Sequence, residues 1–272
     1  MRVGCCGGLE QAQAVKDAGF DFLEVNVQSV LKGDLASSEW DKAAPDPAKF
    51  VLPVEAANCL VPGSRPIIGP QRDLAGLQDY MQRVAKRAQR LGITRLVFGS
   101  GGARKRPEGV DQDTADKHLA EFSRMAAEAC AHHDVIVVIE HLNVGETNTL
   151  NKLAQARHLA DKVGHPALAV LVDSYHYALE KENDEAIIEL GDRIRHVHVA
   201  EPVQRVQPGA HGAMAHSPDA YDFAHFFCLL RKAGYGERIS FEGKWSQPIE
   251  KVGRQCVELL RDAWDKAGTC ES

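Results

Sequence analysis

No stretch of this 272-residue chain approaches the ~20 consecutive apolar residues that a helical membrane span requires. The opening Met1–Cys6 is likewise too short an apolar run for a secretory leader. Positive charge is in deficit, with 32 Lys and Arg against 38 Asp and Glu and a net charge of -6. There is thus no chain-wide basic field to draw in nucleic acid or an anionic membrane. Cysteine pairing is missing too: the seven cysteines are scattered, none forms a CxxC pair, and Cys5 and Cys6 are adjacent. That pattern argues against a disulfide scaffold and leads us to expect unpaired thiols in a reducing, cytoplasmic setting. No GxGxxG opens the first helix, which weighs against a doubly wound dinucleotide-binding sheet.

What is present is a regular alternation. Short apolar runs at 2–6, 20–25, 54–60, 95–98, 135–140, 168–173, 194–199 and 238–242 read as strands. Between them lie amphipathic stretches, of which Leu74–Leu91 is the clearest, with apolar residues at 74, 77, 81, 84, 88 and 91 and Gly92 closing it. Further helices are predicted over 8–18, 113–133, 147–163, 184–190, 219–233 and 248–267. Residues 26–52 are less regular, and Pro45, Pro47 and Pro53 break any long helix there. The run Val-Ile-Val-Val-Ile-Glu at 135–140 is nearly all apolar, as a parallel strand buried on both faces requires. Eight β-then-α units in a chain of this length match a (β/α)8 TIM barrel. No linker interrupts them, so residues 1–272 are expected to form one α/β domain.

In such barrels the chemistry sits at the C-terminal ends of the strands. In the second half those ends carry Glu140, Asp173, His198 and Glu242, each an ionisable residue where an apolar strand stops. Three carboxylates converging above a barrel repel one another and lose hydration, and a divalent cation resolves both costs. Mostly oxygen donors with one nitrogen suit Mn2+ best, with Mg2+, Co2+ and Zn2+ as alternatives.

These residues also carry a family resemblance. Ile139–Asn143 (Ile-Glu-His-Leu-Asn), with Glu146 beyond it, resembles the strand-five motif of sugar epimerases of the D-tagatose 3-epimerase type. Val172–His176 (Val-Asp-Ser-Tyr-His) resembles their Asp-x-x-His, His196–Glu201 their His-x-His, and Phe241–Gly243 their final strand-end glutamate. The resemblance is close over 135–245 and loose elsewhere. It implies one divalent metal ion held by Glu140, Asp173, His198 and Glu242, with a keto-sugar or sugar phosphate as small-molecule substrate. It implies that Glu140 and Glu242 exchange the carbon-bound proton through a metal-stabilised cis-enediolate. It further implies substrate contacts from His176 and Glu146. His196 reads as second to His198, and His141 as structural.

One departure stands out. The family places an arginine that clamps substrate after strand seven, where this chain has Gln204 with Arg205 beside it; a one-residue shift gives Arg205 that role. The loop 204–217, with His211 and His216, is long enough for a lid. The loop Gly99–Arg106 is glycine-rich and basic, lacks the GK[ST] ending of a P-loop, and offers Arg104 as a contact to an anionic substrate group. Trp245 offers a stacking face or rim packing. The same motifs also fit a metal-assisted lyase or dehydratase acting on a keto-sugar or keto-cyclitol. An endonuclease IV-like enzyme fits poorly, because the first histidine is His118 and the net charge is negative. By analogy with the family, a homodimer or homotetramer is expected.

Overall fold

The computed structural model describes residues 1–212 and 220–269. Eight strands form a closed parallel barrel in the order of the chain: β1 (Arg2–Cys6), β2 (Phe22–Asn26), β3 (Val54–Asn58), β4 (Arg95–Phe98), β5 (Ile136–Glu140), β6 (Leu168–Asp173), β7 (Ile194–Val199) and β8 (Arg238–Phe241). The helices are α1 (Ala12–Asp17), α2 (Val27–Val30), α3 (Ser37–Ala43), α4 (Leu74–Leu91), α5 (Gln112–Ala131), α6 (Leu153–Val163), α7 (Ser174–Leu179), α8 (Glu185–Ile188), α9 (Phe223–Lys232) and α10 (Ile249–Ala267). The expected TIM barrel is the observed fold.

The chain packs as two compact units. Met1–Glu24, Val51–Pro53 and Leu171–Ser272 make one; Val25–Phe50 and Val54–Val170 make the other. In the first, β1 pairs with β2 (Cys6 opposite Glu24) and with β8 (Gly4 opposite Ser240), and β7 pairs with β8 (His198 opposite Ser240). The strand order there is β7-β8-β1-β2. Gly4 is required in this sheet, because a Cβ at that position would lie 2.3 Å from the Phe22 ring.

In the second unit β4 lies between β3 and β5, and its pairing with β5 runs from Arg95–Ile136 to Phe98–Ile139. Leu77, Met81, Val84, Ala88 and Leu91 form the buried stripe of α4, as their spacing predicts. Asp73 caps that helix through Gly76 N, and Gly92 ends it with φ 81° in the left-handed region.

Two expectations fail. Residues 174–179 form α7, unanticipated because Ser-Tyr-His-Tyr-Ala-Leu is too short to display an apolar 3.6-residue period. Cys228, on α9, is disulfide-bonded, whereas Cys5, Cys6, Cys59, Cys130 and Cys256 are free. Cysteine spacing along a chain does not show which residues the fold brings together, so this bond could not be read from it. Among the described residues no helix is long and apolar enough to cross a membrane.

Candidate functional site: three strand ends and a buried glutamate

Asp173 is the last residue of β6 and also the N-cap of α7. Its Oδ1 accepts from Tyr175 N at 2.7 Å, which leaves Oδ2 for other partners. His198 lies on β7, and Glu242 directly follows β8. One donor atom from each of the three lies within 4.8 Å of the others. The closest approach is His198 Nδ1 to Glu242 Oε2 at 3.1 Å. Ser174 pins the ends of β6 and β7 together: its Oγ donates to Ala200 O and accepts from Ala200 N, both at 3.0 Å.

Arg205 enters this group from the loop after β7. Its Nη2 donates to Glu242 Oε2 at 2.5 Å and to Asp173 Oδ2 at 3.3 Å, and its guanidinium lies 4.7 Å from the Tyr175 ring centre. Gln204 and Arg205 both have positive φ, 63° and 50°. This left-handed pair is how the backbone carries Arg205 inward. Burial opposes ionisation of Asp173, but His176, Arg205 and His198 together outweigh it and hold the carboxyl at about 2. Glu242 is likewise held below its ordinary value against burial, chiefly by His198 and then Arg205. His176 is fully buried, its Nε2 3.6 Å from Asp173 Oδ2.

The residue that sequence reasoning missed is Glu24, in the middle of β2. It is wholly buried. Its Oε2 meets His196 Nε2 at 2.7 Å and its Oε1 meets His198 Nε2 at 2.9 Å. Burial opposes its charge, yet His198 and His196 pull the carboxyl well below the ordinary range. His196 is itself shifted toward the neutral form, by burial first. The signal was available: a glutamate inside the otherwise apolar run Phe-Leu-Glu-Val has to find a partner if it is buried.

These contacts suit a divalent cation. With Nε2 committed to Glu24, His198 turns its Nδ1 toward a carboxylate oxygen 3.1 Å away. A ring nitrogen and a carboxylate oxygen so placed need a positive centre, a proton or a cation, between or beside them. Asp173 and Glu242 already share one positive group, the Arg205 guanidinium, so the pocket of acceptors is shaped for cationic charge.

Beyond β7, the buried Glu201 accepts from Gly209 N and Tyr221 N, both at 2.9 Å, and thereby ties together two points of the following loop. Residues 213–217 of the expected lid, His216 among them, lie outside the described residues. Trp245 packs edge-on against Phe241, ring centres 4.7 Å apart, and against Phe20 at 6.2 Å.

In the other unit, Glu140 ends β5 and is nearly buried. Gly99 makes room for it: a Cβ there would sit 2.2 Å from Glu140 Oε2. Arg104 is fully buried, with Nη1 donating to the Glu140 carbonyl at 2.8 Å and to Phe98 O at 3.3 Å. Burial lowers its pKa to about 10 against the pull of Glu140 and Glu146. Glu146 is exposed and accepts from Asn143 Nδ2 at 3.0 Å. Arg104, expected as a contact to an anionic substrate group, is thus turned onto backbone carbonyls rather than toward solvent. His141 is buried.

Residues 12–263 match the xylose isomerase-like TIM barrel family. The chain belongs to that family. Among curated family relatives, 3-dehydro-D-guloside 4-epimerase of Escherichia coli is 24% identical over 245 residues, covering 87% of each chain. L-ribulose 3-epimerase of a Methylomonas species is 25% identical over 161 residues, 59% of this chain. The match spans about half of that relative, 53% of its length. Among solved structures, D-psicose 3-epimerase from Clostridium cellulolyticum superposes with a TM-score of 0.79 at 14% identity, covering 97% of this chain and 99% of the other. The 3-keto-D-glucoside 4-epimerase of E. coli superposes at 0.76 with 23% identity, covering 96% and 99%. At those identities the superpositions carry the xylose isomerase-like fold and no more.

Proposed function

We propose that this protein is a divalent-metal-dependent sugar epimerase or isomerase, acting on a keto-sugar or its phosphate by proton transfer beside the carbonyl through an enediolate. The observation that carries the reading is the meeting of Asp173, His198 and Glu242 at the ends of three successive strands, with carboxylate oxygens gathered on one cationic group. We assign Glu140, the end of β5, as the fourth donor, because a parallel barrel directs its strand ends to one rim. The named epimerases among the relatives agree with this class of chemistry.

A bound divalent cation, which we assign as Mn2+, would supply Lewis-acid polarisation of the carbonyl and so acidify the adjacent C–H. The chain's own residues do the rest. Glu140 takes the carbon-bound proton on one face of the substrate and Glu242 returns one on the other, or the reverse. Their carboxylates must be ionised to begin, and at Glu242 the neighbours His198 and Arg205 favour that state. Arg205 leaves the carboxylates when the cation binds and turns its guanidinium to a substrate oxygen. His176 and Glu146 hold further hydroxyls, and Arg104 fixes the wall behind Glu140. A homodimer or homotetramer in the cytoplasm completes the proposal.

The deciding experiment incubates the protein with free and phosphorylated keto-sugars in D2O with Mn2+ and reads deuterium entry at the α-carbon by NMR. Entry accompanied by a new epimer or aldose supports the proposal. Elimination products without an epimer point to a dehydratase, and absence of exchange with every sugar rejects the assignment.

A further inference from the structure

We infer that Glu24 is the positioning residue for His198: it holds both histidines of β7 through their Nε2 atoms, and so turns the His198 Nδ1 toward the carboxylates. The proposal rests on the metal-site reading above for its consequence, and on geometry alone for its premise.

The geometry is specific. An ionised carboxylate only accepts hydrogen bonds, and each oxygen of Glu24 meets one imidazole Nε2, at 2.7 Å from His196 and 2.9 Å from His198. A neutral imidazole carries one N–H, so donation from Nε2 leaves Nδ1 as the lone pair. In His198 that atom is the one 3.1 Å from Glu242 Oε2. In His196 it is buried with no hydrogen-bond partner among the described residues, which agrees with a ring held as a neutral Nε2–H donor. Alternation on β7 puts both rings on one face of the strand, and their centres lie 5.2 Å apart and nearly perpendicular. One carboxylate therefore fixes two side chains. His196 also fills the second oxygen of Glu24, which keeps that oxygen from competing for the Nε2–H of His198. Ligand histidines are commonly oriented through their second nitrogen by a carboxylate, and losing that partner costs about 10–100-fold in metal affinity.

Glu24→Gln keeps the shape but replaces one acceptor with an NH2 donor. One imidazole must then flip to the Nδ1–H tautomer to offer a lone pair in return. Two readouts are taken, on the wild type and on Glu24→Gln, with Glu24→Asp as a shortened control. The first is the histidine tautomer in metal-free protein, from two-bond 1H–15N correlations. The second is Mn2+ affinity by titration calorimetry. We expect Nε2–H for both histidines in the wild type, a flipped ring in Glu24→Gln, and Mn2+ binding weaker by about 10–100-fold, with Glu24→Asp intermediate. A wild-type His198 with no proton on Nε2 overturns the inference, as does a Glu24→Gln protein with unchanged tautomers and unchanged Mn2+ affinity. A wild type that shows the Nε2–H tautomers yet binds no Mn2+ supports the role of Glu24 and sinks the metal assignment instead. Because the tautomer is read on unmodified protein, a variant that fails to fold leaves the decision intact.

Discussion

Arg205 donates through Nη2 to Glu242 Oε2 at 2.5 Å, and the same nitrogen reaches Asp173 Oδ2 at 3.3 Å. A single guanidinium edge therefore neutralises two carboxylates whose mutual repulsion raises the cost of ionising Glu242. Arginine suits this duty because it stays charged and spreads its donors in a plane. The same charge makes it a competitor of any metal, and this competition can be measured.

Arg205→Ala should destabilise metal-free protein, by less than the ~3–5 kcal/mol of a broken, fully buried pair, because about a quarter of the Arg205 side chain is exposed. Mn2+ should restore the loss, so that the metal-induced rise in Tm is larger in the variant than in the wild type. Thermal melts with chelator and with Mn2+ make the comparison. An equal rise in both proteins means that the guanidinium and the metal do not share the carboxylates.

Acid should unfold the metal-free protein partly through Asp173. Its folded-state pKa of about 2 lies below the ordinary value. A depressed carboxyl stabilises the fold above the unfolded pKa, and the contribution disappears as pH falls from about 4 toward 2. Asp173→Asn keeps an oxygen to cap α7 at Tyr175 N but does not titrate. Its stability should be lower than wild type near neutrality and flatter between pH 4 and 2. Denaturant melts across that range decide it, and parallel curves for the two proteins reject the linkage.

The fold was largely legible because its strands are apolar runs with abrupt ends. β4, β6 and β7 begin and end where the residue pattern predicts. The ionisable residues closing those strands also stood out, and three of them, Asp173, His198 and Glu242, meet in the structure. What escaped was the chemistry inside strands. Glu24 interrupts β2 without ending it, and its two partners lie more than 170 residues away in sequence, beyond any local pattern. Arg104 stood out only as a basic loop residue suited to an anionic substrate group; that its guanidinium folds back onto the Phe98 and Glu140 carbonyls is a long-range contact no local pattern shows.

That burial changes what a substitution at Arg104 should do. Removing the side chain strips donors from two carbonyls, each worth about 1–3 kcal/mol when left unsatisfied, and opens a void beside Phe98. Arg104→Ala should therefore lower Tm by several degrees and reduce kcat, through loss of the support behind Glu140. Arg106→Ala removes an Nη1 bond to Val110 O in the same loop and should perturb both quantities far less. A selective rise in KM for a phosphorylated substrate, with Tm unchanged, returns Arg104 to direct contact with an anionic group.

The proton-transfer assignment separates from metal binding by substitution. Glu140 and Glu242 are each asked to bind metal and to move a proton, Asp173 and His198 only to bind. Glu140→Gln keeps an oxygen for the metal but cannot accept a proton. It should retain much of the Mn2+ affinity and lose about 10²–10⁴-fold in kcat, the range a positioned base supplies. His198→Ala should instead weaken Mn2+ binding, so that activity partly returns at high Mn2+. Glu242→Gln also removes the carboxylate that Arg205 and His198 share, so its affinity loss should fall between those two. If each glutamate serves one face of the carbon, the two glutamine variants should differ in which epimer they fail to exchange with D2O. Equal slowing of both epimers by both variants favours a single base, and with it aldose–ketose isomerisation over epimerisation.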